Sequence, residues 1–118
     1  MLPQSARLTA SSDFARATKS GLRVTSQHFV GYLYISPVTN NERAKCGLII
    51  NKTVGGSVQR HRLARKIRHA VAPVITTLPT GSLLVIRALK QDGDKNITSE
   101  ILDLISKLST KSAKVANR

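Results

Sequence analysis

What this chain has least of is negative charge. Six Asp and Glu stand against 19 Lys and Arg, a formal charge of +13. The six are Asp13, Glu42, Asp92, Asp94, Glu100 and Asp103, so the segment 43–91 holds no carboxylate. Metal-dependent phosphodiester hydrolysis by the protein itself needs clustered carboxylates around one or two divalent ions. That segment has none to offer, and Asp92 and Asp94, within QDGDK, read as turn residues. The single cysteine, Cys46, excludes an internal disulfide and a cysteine-based metal site. Within AKCGLII it reads as a buried core thiol. No apolar run approaches the roughly 20 residues that span a bilayer. MLPQSARLTASS lacks the apolar segment and cleavage site of a secretory signal, so a cytoplasmic protein is expected. Aromatics are also few: Phe14, Phe29, Tyr32 and Tyr34.

What is present is enough to fold. Hydrophobic residues make up 41% against 21% charged, and 118 residues suit one domain, 1–118, with a single core. Neither an internal repeat nor an interdomain linker is visible. The acid-free middle carries Arg43, Lys45, Lys52, Arg60, Arg62, Arg65, Lys66, Arg68, Arg87 and Lys90. An ordinary solvated helix mixes signs and gains from pairs four residues apart. Without internal partners this charge answers an external polyanion, nucleic acid first and an anionic membrane surface second.

Local signals predict an α/β order. Ser11 or Ser12 caps a short helix, DFARATKS, that stops at Gly21. LRVT is an extended lead-in or a short strand, and HFVGYLYIS is a strand rich in aromatic and β-branched residues. PVTNNER is a polar turn, and AKCGLIIN a strand whose continuous apolar character predicts burial on both faces. A basic helix spans roughly 57–72 behind Gly55 and Gly56, and Pro73 either breaks it or opens a second short helix, PVITTL. LLVIRAL is a further strand after PTGS. NITSEILDLISKLS forms an amphipathic helix with Ile97, Ile101, Leu104, Ile105 and Leu108 on one side. From about residue 110 the chain reads as a flexible basic tail.

At about 100° per residue, Leu63, Ala64, Ile67, Ala70, Val71 and Val74 share one arc of the basic helix. Arg62, Arg65, Lys66 and His69 lie opposite, His61 and Arg68 flank the boundary, and Arg60 escapes past the helix end from the first turn. The apolar arc glues the helix to a sheet and aims its cations outward, while the glycine pair and the helix dipole favour an anion at the N-terminus. The GKS or GKT ending of a nucleotide P-loop is missing, so ATP or GTP binding is not expected. His61 and His69, about 80° apart with no carboxylate to orient them, read as RNA contacts or plain surface rather than catalysts. In the aromatic strand, alternation puts His28, Val30, Tyr32 and Tyr34 on one face. The tyrosines there are either a stacking surface for single-stranded RNA or cover for the core edge.

The order RL, DF, FVGYLY and GLIINKTVGGSVQRHRLARKIR resembles the protein subunit of bacterial ribonuclease P. The likeness runs from about Arg7 to Leu108 and is best in the arginine-rich helix. There Lys52, Val54, Gly55, Val58, Arg60, Arg62, Arg65 and Arg68 fit the family pattern. The resemblance implies an α/β (α+β) two-layer sandwich, order αβββαβα, with a four-stranded sheet and a left-handed β-α-β crossover. It implies binding to a catalytic ribonuclease P RNA that holds Mg²⁺ and performs the hydrolysis, with no catalytic residue or metal site in this chain. Together the two cleave the 5′ leader from precursor tRNA, and no membrane or protein partner is required. RNA contacts are expected at Lys52, Arg60, His61, Arg62, Arg65, Lys66 and Arg68. Phe14 and Tyr32 match a cleft for the single-stranded leader, and face alternation adds Tyr34. The chain departs from the pattern at His61 and Gly56, where Asn is usual, at Thr53, where a second Lys is usual, and at Ala64, where a basic residue is frequent. A basic ribosomal protein, binding ribosomal RNA structurally, is the alternative. A DNA-binding helix module lacks the helix-turn-helix partner it would need.

Overall fold

The computed structural model describes residues 11–35, 44–78, 82–89 and 97–116. Arg7, the turn expected at 37–43 and the QDGDK segment lie outside them. Seven elements follow in the expected order: α1 (Ser11–Ser20), β1 (Leu22–Thr25), β2 (Phe29–Ile35), β3 (Lys45–Ile49), α2 (Ser57–Val71), β4 (Ser82–Ala88) and α3 (Ile97–Ala116). LRVT is therefore a strand in its own right. α3 continues to Ala116, through most of the stretch that composition marks as a tail.

The four strands are ordered β1-β2-β4-β3. β2 pairs antiparallel with β1 and β4, while β3 runs parallel to β4, so α2 is the crossover of a β-α-β unit. Alternation divides the sheet into two faces. Phe29, Leu33, Cys46, Leu84 and Ile86 meet Leu63, Ile67, Ala70 and Val71 of α2 and Ile101, Leu104, Ile105 and Leu108 of α3 in the main core. Each such Leu or Ile contributes about 1.5–3 kcal/mol when fully withdrawn from water. Gly31 lets α3 settle onto β2, since a Cβ there would press into Leu104 and Leu108. On the opposite face Ala17 of α1 packs with Val30, Tyr32 and Val85, flanked by Phe14, Tyr34, Ile49 and Leu83.

Three local outcomes differ from, or decide between, the expectations. First, β3 is an edge strand. Cys46 and Gly47 are buried, whereas Leu48 and Ile49 are only half-buried, because β4 covers a single side of the strand. Second, Pro73 ends α2 without opening another α-helix. The Ala72 N–H donates to the Arg68 carbonyl at 3.0 Å, and Pro73 has no N–H to continue the ladder. A 3-10 turn, Ile75–Thr77, follows.

Third, His28 does not share a face with the tyrosines. β2 begins one residue later, and His28, 2% exposed, turns to α3. Its Nδ1 lies 2.8 Å from Glu100 Oε1, and its backbone N–H donates to Glu100 Oε2 at 2.8 Å. The Ser26 hydroxyl donates to that same oxygen. Burial pulls the Glu100 carboxyl upward, but the Ser26 and His28 hydrogen bonds and the His28 charge outweigh it and hold the group below its ordinary 4.5. This cluster ties the start of α3 to the β1-β2 turn.

Candidate nucleic-acid interface

The entrance to α2 is built by its glycines. Asn51 leads from β3 into a 3-10 turn, Lys52–Val54, and Gly55 then takes φ +151, a backbone conformation that side chains rarely adopt. A Cβ on Gly55 would also collide with the Gln59 side chain. Gln59 Oε1 accepts the Gly56 N–H at 2.8 Å, half of a capping box with glycine in place of the usual hydroxyl residue. Lys52 is exposed on this connection.

From there the helix divides as its wheel predicts, except that Arg60 does not escape past the helix end but stays half-buried over Leu48 and Ile50. Leu63, Ile67, Ala70 and Val71 are buried. His61, Arg62, Arg65, Lys66 and His69 are exposed, and Arg60, Ala64 and Arg68 are half-buried. The two carboxylates whose side chains are described are both on α3 and engaged elsewhere: Glu100 with Ser26 and His28, Asp103 with Lys107 at 3.1 Å. Arg60 Nε is shielded from solvent without a hydrogen-bond partner among the described residues. Arg60 and Arg68, with Ser57, His61 and Ala64, line a cavity of about 320 Å³ whose apolar side is Leu48 and Ile50. Cations over an apolar floor suit a nucleotide's phosphate and base together. Cys46, behind this helix, is inert: burial pushes its thiol up to about 12, opposed only in part by the charge of Arg68.

Phe14, Tyr32 and Tyr34 come together on the other face of the sheet, away from the α2 cations. Tyr32 is 7% exposed, covered by its neighbours, and Tyr34 is half-buried. The aromatic patch and the basic helix are thus two surfaces on opposite faces of the sheet, and Lys52 lies on the connection from β3 to α2. Sequence reasoning missed the cations of the aromatic face. Cross-strand register puts Arg23 opposite Tyr32, Arg87 opposite Val30 and Lys45 opposite Leu83, all on the tyrosine side. The signal was present in Arg87, a lone charge within LLVIRAL, but strand order was needed to place it on the face that carries Tyr32.

Among the described residues, no three His, Cys, Asp or Glu side chains gather where they could hold a metal ion. The donor set for a protein-held divalent cation is not assembled there. Among the same residues, no helix is long and apolar enough to cross a membrane.

The family model for ribonuclease P matches residues 2–111. The chain belongs to the ribonuclease P protein family. It is 38% identical over 94 residues to the ribonuclease P protein component of Mycolicibacterium vanbaalenii, covering 80% of this chain and 79% of that one. With the component from Mycobacteroides abscessus it shares 42% over 93 residues, 75% of this chain and 73% of the other. The fold is that of the Staphylococcus aureus RNase P protein, with a TM-score of 0.69 at 21% identity over 91% of this chain and 94% of that structure. Members of this family are protein components of an endoribonuclease, so this chain is such a subunit and its association is with ribonuclease P RNA. The departures from the ribonuclease P pattern now have places. Ala64 and His61 both line the cavity, where the small Ala64 leaves room between Arg60 and Arg68.

Proposed function

We propose that α2 binds the ribonuclease P RNA through Arg62, Arg65 and Lys66 on its exposed side, with Arg60, His61 and Arg68 around the cavity and Lys52 on the connection that leads into the helix. The tyrosine face, with Phe14, Tyr32 and Tyr34, receives the single-stranded 5′ leader of precursor tRNA. In this reading the protein promotes endonucleolytic 5′ maturation of tRNA in the cytoplasm, and the RNA performs the hydrolysis. The observation that carries it is the cationic side of α2, with no described carboxylate to answer it. A phosphate backbone supplies that answer, and the counterions released give the affinity its salt dependence. Mg²⁺ belongs with the RNA phosphates in this scheme, and the protein's residues position RNA and screen its charge. The ribosomal alternative would share the basic charge, small size, few aromatics and a split α/β fold, but the family match does not favour it.

The test is reconstitution. Added to a bacterial ribonuclease P RNA at low Mg²⁺, the protein is expected to raise cleavage of precursor tRNA. Unchanged cleavage with a cognate RNA would contradict the assignment.

A further inference from the structure

Tyr32 presents a difficulty for any stacking role. It stands in the middle of the aromatic face yet is 7% exposed, so a nucleobase has no open ring on which to rest. Part of its cover is a side chain from the edge strand. Arg23 of β1 stands opposite Tyr32 in the register, and its guanidinium carbon sits 6.0 Å from the centre of the Tyr32 ring. That distance is the outer limit at which a cation and an aromatic face attract one another. Arg23 is also exposed, and the two carboxylates whose side chains are described stand on α3, across the sheet.

Backbone and side chain of Arg23 are therefore held very differently. Its carbonyl accepts a hydrogen bond from Lys111 Nζ of α3 at 3.2 Å, and β1 is paired along its length with β2. The strand is pinned, while among the described residues the guanidinium makes only a weak contact, one that bulk water can replace.

We propose that Arg23 is a movable cover over Tyr32, which swings off the ring when a leader nucleotide arrives and then holds that nucleotide. The base takes the ring face and the guanidinium closes over the base or onto its phosphate, the two modes by which arginine engages single-stranded RNA. No bond is made or broken, and Arg23 acts as a positioning residue for the leader. Two neighbours on the same face support this chemistry. Arg87, exposed on β4 beside Val30, offers a second cation for the next phosphate. Gly47, in the same row across the sheet as Tyr32 and Val85, leaves that row without a side chain at its far end. The inference rests on the leader reading given above, so its test must separate the two.

Holoenzyme would be assembled on ribonuclease P RNA with Arg23→Ala, Arg23→Lys and Tyr34→Ala proteins, each checked for an unchanged thermal transition. Dissociation constants would be measured for precursor tRNA with its leader and for mature tRNA. Arg23→Ala is expected to weaken leader-bearing substrate by roughly threefold to tenfold and mature tRNA not at all. Arg23→Lys restores the charge, and with it the salt dependence, but recovers only part of the affinity because an ammonium cannot cover a base as a guanidinium does. If Tyr34→Ala is selective for the leader while Arg23→Ala changes nothing, tightens binding or weakens both substrates equally, the cover is refuted and the cleft stands. If neither variant distinguishes the two substrates, the leader reading falls and this inference falls with it.

Discussion

Helices α2 and α3 lie against the same face of one sheet and pack on each other, yet they handle charge in opposite ways. α3 uses its polar groups within the protein. Glu100 gathers Ser26 and His28, Asp103 pairs with Lys107 one turn on, and Lys111 reaches the Arg23 carbonyl. α2 carries Arg60, Arg62, Arg65, Lys66 and Arg68 with no acid along its whole length. Both have an apolar stripe sufficient to anchor them. The difference teaches that the stripe says where a helix packs, and the sign pattern of its other side says whether the helix is complete within its own chain.

The comparison is broken most strongly at Glu100. Glu100→Ala removes the acceptor of the His28 backbone N–H, the partner of His28 Nδ1 and one of the two acceptors of the Ser26 hydroxyl, and is expected to destabilise the fold by about 2–4 kcal/mol. Urea unfolding measures this, and a loss well under 1 kcal/mol would reduce Glu100 to an ordinary surface residue. The sign of its pH dependence follows from the lowered carboxyl. Folding favours the ionised form, so the stabilisation is fully present above the unfolded value near 4.5 and is lost as pH falls through the lower folded value. The advantage of the natural protein over Glu100→Gln should therefore be steady near neutral pH and shrink in acid below 4.5. An unchanging difference would show that the carboxylate's charge is immaterial.

A smaller effect of opposite sign is expected on α2. Arg62→Glu places an acid one turn before Lys66, the favourable order for such a pair, and should stabilise the free protein by about 0.2–0.5 kcal/mol. The same change should weaken RNA binding. A variant that gained in both would mean that Arg62 faces no phosphate.

Much of this contrast is legible in the sequence, because both the apolar stripe of α2 and its missing carboxylates are local patterns. Helix period and charge survive whatever the tertiary contacts turn out to be, so Leu63, Ile67, Ala70 and Val71 could be assigned to the core from spacing alone. The Glu100 cluster could not. Glu100 lies more than 70 residues from Ser26 and His28, and a glutamate in a first helical turn looks the same whether it faces water or a histidine. His28 was misplaced because period-two alternation holds only within a strand, and the strand starts at Phe29. β3 was expected to be covered on both faces because apolar content reports hydrophobicity without reporting position at an edge. The cations on the tyrosine face, Arg23, Arg87 and Lys45, come from three strands, and their sharing of one face exists only once the order β1-β2-β4-β3 is known.

The central claim, that the cations of α2 have their partner in RNA and those of α3 within the protein, is tested most directly by salt. Binding to ribonuclease P RNA would be followed across a salt series for the natural protein, the Arg62→Ala, Arg65→Ala double variant, and Lys107→Ala. The double variant should flatten the log–log slope by about 1.4–1.8, or 0.7–0.9 for each lost phosphate contact, and Lys107→Ala should leave it unchanged. A slope unaltered in the double variant, or flattened as much by Lys107→Ala, would contradict the claim.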